Sequence, residues 1–121
     1  MNVTIVDGKE IEKDVIEIDS INSERKLLLK MPGFNMYTYY IGKSGEIPFH
    51  VHDGGFVNEC GYIISGKGLI LTYDKEMEVS KGDAFHIDGS LPHGFRNRGN
   101  EEFIFLCLVP MRYYDDKEIE D

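Results

Sequence analysis

The chain reads Gly45-Glu46-Ile47-Pro48-Phe49-His50-Val51-His52, then six residues, Glu59, six more residues and Gly66. Further on it reads Gly82-Asp83-Ala84-Phe85-His86-Ile87-Asp88-Gly89-Ser90-Leu91-Pro92-His93-Gly94-Phe95-Arg96-Asn97. Histidines at i and i+2 of an extended segment point to one face about 6.6 Å apart, so His50 and His52 can reach one ion. Glu59 opens the apolar run Gly61-Tyr62-Ile63-Ile64, and His93 follows a loop and opens another strand-like segment. Three imidazole nitrogens and one carboxylate oxygen on neighbouring strands suit a divalent transition metal with coordination positions left open.

Outward from these stretches, apolar residues alternate at period two rather than recurring at helical spacing. Strand candidates are residues 25–31, 35–41, 47–52, 59–65, 68–73, 76–79, 84–87, 93–97 and 103–109. Many short strands parted by Gly and Asp turns predict an all-β sandwich or closed barrel. Near the start, residues 3–6 and 9–12 flank Asp7-Gly8, a dipeptide that supplies the positive φ of a two-residue turn, and predict a short hairpin. Residues 14–22 are the one candidate for a turn of helix, against their β-branched content.

At 121 residues the chain fits one domain. Its expected parts are N-terminal strands at 1–34 that pack on the barrel or on a dimer partner, a barrel core at 35–112 and an acidic tail at 113–121. In that tail Asp115, Asp116, Glu118, Glu120 and Asp121 accompany only Lys117, the pattern of a solvated, frayed end. With 13 Lys and Arg against 22 Asp and Glu, net −9, and no basic stripe, nucleic acid and anionic membrane surfaces are disfavoured as partners. The longest apolar run, residues 103–109, falls far short of the ~20 residues that span a bilayer. Residues 1–10 lack both a basic start and an apolar stretch, so the expected location is cytoplasmic. Two thiols, Cys60 and Cys107, fit a reduced compartment rather than a disulfide scaffold.

The two quoted stretches resemble the paired signature motifs of the cupin superfamily: a glycine, His-x-His, Glu and a glycine in the first, then Gly-Asp, a turn, His and Asn in the second. The resemblance spans residues 42–109, and fifteen residues, 67–81, separate Gly66 from Gly82, as in compact microbial cupins. It implies a double-stranded β-helix, a jelly-roll barrel, with one divalent ion (Mn, Fe, Ni, Co, Cu or Zn) held by His50, His52, Glu59 and His93. The gap from His52 to Glu59 is six residues, longer than the usual three or four, and Asp53 is the nearest alternative carboxylate. Glu59 shares strand parity with Ile63, so an inward Ile63 carries Glu59 inward too. Phe95, Phe105 and Cys107 are candidate pocket walls beside the ion, with ordinary packing as the alternative, and His86 is a candidate pocket residue and outer hydrogen-bond partner, with a hydrogen-bonded wall or surface histidine as the alternative.

Such a barrel admits three functions. The first is a small metal-dependent enzyme (dioxygenase, decarboxylase, lyase or isomerase) acting on a small polar metabolite, with Glu59 as base. The second is a non-catalytic module that binds or senses a small molecule or sugar. The third is a metal-free barrel with structural duties. A homodimer is expected, because strands at 3–6 and 35–41 would present edges that need cover.

Overall fold

From Phe103 to Val109 every second side chain is buried and its neighbours are half-buried, the signature of a strand with one face against a core. The structure is a computed structural model that describes residues 2–16, 19–50, 58–88, 91–114 and 117–120, with side chains described through Pro110. Its strands are β1 (Asp14–Val15), β2 (Ile21–Met31), β3 (Phe34–His50), β4 (Glu59–Ser65), β5 (Lys67–Leu71), β6 (Glu76–Ser80), β7 (Ala84–Ile87), β8 (His93–Asn97), β9 (Phe103–Tyr114) and β10 (Lys117–Glu120). Among the described residues no helix is long and apolar enough to cross a membrane.

The sheet runs β6-β5-β8-β3-β9-β4-β7, with β2 added on β3. The long strand β3 turns this sheet into a barrel, because it changes partners along its length. Residues 34–41 pair with β9, while Glu46, Ile47 and His50 pair with β8. One β3 half thus belongs to β2-β3-β9-β4-β7 and the other to β3-β8-β5-β6. The core holds Tyr37, Tyr39, Ile63, Ile87 and Phe105 from the first group with Ile47, Ile70 and Phe95 from the second, so the two groups face each other. This is the expected double-stranded β-helix.

Asn97 ties the two groups together. Its Nδ2 donates to the carbonyls of Ile41 (2.9 Å) and Glu101 (2.8 Å), and its Oδ1 accepts from Gly99 N at 2.8 Å. The two motif glycines serve different needs. Gly66, at φ +82, also has no room for a Cβ, which would lie 2.5 Å from Glu102 O; Gly82, at φ +95, has open space around it and is needed for its backbone angle.

Several sequence expectations are corrected. Residues 3–12 form no hairpin: Asp7 Oδ1 accepts from Lys9 N at 3.0 Å and caps a single 3-10 turn, Gly8–Glu10. Asp-Gly suits such a side-chain-capped turn as well as a hairpin, and here no paired strands flank it. The described part of 14–22 holds β1 and the start of β2, with no helix. The strands expected at 35–41 and 47–52 are one continuous element up to His50. Within the acidic end, Lys117–Glu120 pair as β10 on β9 rather than fraying, since charge on side chains does not prevent backbone pairing. Segment 35–41 lies between β2 and β9, so it is not an exposed edge, and residues 3–6 form no strand.

Candidate metal centre

His50 faces the barrel interior because of a bulge. In the β3–β8 ladder Ile47 pairs with Phe95 and His50 with His93, so three steps on β3 match two on β8. Pro48 lies in the extra step, where its missing N–H costs no ladder bond. Ile47 and His50 therefore both turn inward, and Phe49 is left 51% exposed on the outer face. Gly94 on β8 sits under this bulge: a Cβ there would lie 2.6 Å from Ile47 O and 3.1 Å from Pro48 C.

Glu59 arrives from the opposite group. On β4, Glu59 and Ile63 are buried while Cys60, Tyr62 and Ile64 are exposed, so the carboxylate points inward as parity with Ile63 predicts. Glu59 Oε1 lies 3.6 Å from His93 Nε2, both side chains being almost fully buried. The His50 and His93 rings are 4.4 Å apart, and one ligand atom from each of His50, Glu59 and His93 lies within 4.8 Å of the others. Ligand atoms each about 2.1 Å from one ion sit about 3.0 Å apart when adjacent and about 4.2 Å when opposite, so small side-chain shifts bring all three onto one ion. His52 and Asp53 lie outside the described residues.

The two imidazoles are set in matching tautomers. Nδ1 of His50 lies 3.0 Å from the Pro48 carbonyl, and Nδ1 of His93 lies 3.0 Å from that of Leu91. A carbonyl oxygen only accepts, so each Nδ1 carries the hydrogen and each neutral ring presents its lone pair at Nε2, as a metal ligand must. Burial by itself lowers the His93 pKa, but the hydrogen bond and charge of Glu59, with the Leu91 carbonyl, outweigh it and leave the group raised above 6.5. Two nitrogen donors and a carboxylate inside an apolar barrel fit a divalent ion, which offsets the cost of burying the acid.

The sequence profile of the cupin domain matches residues 37–109, more than half of the chain. The chain belongs to the cupin family. An uncharacterized protein from Methanocaldococcus jannaschii is 37% identical to this cupin over 62 residues, which are 50% of this chain and 50% of that relative. The matched segment thus spans half the length of the curated relative. Among solved structures, the polyketide cyclase RemF from Streptomyces resistomycificus is similar with a TM-score of 0.80 at 18% identity, covering 97% of this chain and 82% of that one. A predicted oxalate decarboxylase from Thermotoga maritima gives 0.78 at 19% identity, covering 98% and 100%. KdgF from Halomonas sp. gives 0.74 at 17% identity, covering 90% and 96%. At these identities the likeness is one of fold.

The other expected site residues of this cupin divide in two. Phe95, Phe105 and Cys107 are buried on the inner face with His93, whose ring stands edge-on to Phe95 at 5.9 Å. His86 is not with them. In the β4–β7 ladder it pairs with Cys60 and is exposed, while Ile87 pairs with Glu59; the expected pocket placement of His86 is corrected by this register. Tyr39 stacks on Phe105 at 5.0 Å and accepts from Arg25 Nη1 at 3.5 Å. Burial chiefly, then the charge that the Cys107 thiol would acquire at such high pH and the charge of Glu59, opposed by Arg25, raise its pKa well above 10, so it stays a neutral hydroxyl. Its alternation with Tyr37 and Ile41 was the available signal.

Proposed function

We propose that this cupin binds one divalent transition-metal ion through His50, Glu59 and His93, with His52 as the fourth motif ligand. In this reading it is a metal-dependent enzyme of dioxygenase, decarboxylase, lyase or isomerase type acting on a small polar metabolite. The observation that carries the reading is the convergence of two imidazoles and one buried carboxylate inside the barrel. A divalent ion bound there supplies Lewis acidity to an oxygen of the metabolite. The chain's own groups do the rest. Ile87, Phe95 and Phe105 exclude water, and Glu59 is the carboxylate that would take up and return a proton.

The test is a screen of the metal-loaded protein against small carboxylic acids and sugars, with and without O2. Conversion that stops with a chelator and returns with the ion is expected. Binding of such compounds without conversion would instead assign a sensing module.

A further inference from the structure

The two oxygens of Glu59 face different partners. Oε1 faces His93 Nε2 at 3.6 Å, and Oε2 lies 3.6 Å from the Cys107 thiol, which is 1% exposed. We infer that Cys107 is a positioning residue for Glu59: its S–H donates to Oε2 and so fixes the carboxylate with Oε1 toward the two histidines. This rests on the metal centre proposed above and assigns to Cys107 a task that packing alone would not give it.

The strand register builds the contact. Cys107 on β9 stands between Tyr37 on β3 and Gly61 on β4, all on the inner face. Gly61 is the inward position next to Glu59 on β4, and a Cβ there would meet the Phe85 ring at 2.4 Å. Position 61 has no room for a side chain, and Cys107 reaches the acid across from β9. A thiol is a weak donor, yet small enough for a buried site, and a buried carboxylate oxygen given no donor carries a desolvation penalty. Outer partners of metal ligands fix the ligand's orientation, and their loss typically weakens metal affinity by about 10–100-fold.

Three variants separate donation from space-filling, with cobalt(II) as the probe, measured by chelator competition and by its visible spectrum. Cys107→Val keeps the volume and loses the donor, Cys107→Ser keeps a donor in less volume, and Cys107→Ala loses both. Cobalt affinity is expected to fall about tenfold in Val and Ala with an altered spectrum, and to stay within about threefold of wild type in Ser. Apo-protein melting curves recorded alongside show which variants remain folded. Affinity that follows volume, with Val like wild type and Ser like Ala, would overturn the inference while leaving the metal centre intact. Wild-type protein that binds no cobalt would overturn the metal centre itself, and Cys107's role with it.

Discussion

Glu59→Gln is expected to bind divalent ions more than about a hundredfold more weakly than wild type while remaining folded, beyond what loss of an outer hydrogen bond costs. Glutamine keeps the shape of the side chain and removes the charge that faces His93 at 3.6 Å. It also removes the Glu59 charge and its hydrogen bond as a carboxylate, the larger of the influences that raise the His93 pKa, and leaves the Leu91 carbonyl alone against burial, which lowers it. The sign of the pH dependence follows. In wild type a proton competes for His93 Nε2 at pH values above 6.5, and metal retention falls as the pH drops through the raised pKa. In metal-free Glu59→Gln the His93 titration, followed by NMR, should move to lower pH. Metal binding unchanged in this variant would remove Glu59 from the centre and point to Asp53.

The second large effect is expected at Gly94, which follows the ligand His93 and has no side chain of its own to offer the ion. An alanine there places a methyl group 2.6 Å from Ile47 O, against the bulge that turns His50 inward. Backbone on both strands must yield, at a cost of about 2–3 kcal/mol, or a fall in melting temperature of roughly 10 °C. Metal affinity should fall as well, because His50 moves with the bulge. Gly99→Ala is the control: its methyl group would find nothing nearer than 3.6 Å. A melting curve for Gly94→Ala that matches Gly99→Ala would mean that β3 has room to spare at the bulge.

Period-two alternation placed β4, β7 and β8 at their observed bounds, and Ile63 parity was enough to turn Glu59 inward. These features are local, carried by a single strand and its own burial pattern. The bulge is not local. Counting from buried Ile47 by twos puts Phe49 inside and His50 outside, the reverse of the observed arrangement, and only the mismatch with β8 reveals the correction. Pro48 within a strand was the one sequence signal for it. The contacts of Cys107 with Glu59 and of Arg25 with Tyr39 depend on which strands become neighbours, and no spacing along the chain encodes that. His86, which pairs with exposed Cys60, falls on the surface, the alternative to its pocket placement.

Elemental analysis of the wild-type chain, purified without chelator and compared with His93→Ala, is the most direct test that the barrel interior is a metal centre. Close to one transition-metal ion per chain is expected in the wild type and a large loss in the variant, whose apo form is checked for folding. Wild-type protein that holds no ion after equilibration with Mn, Fe, Co, Ni, Cu and Zn in turn, or a folded His93→Ala variant with full occupancy, would contradict it.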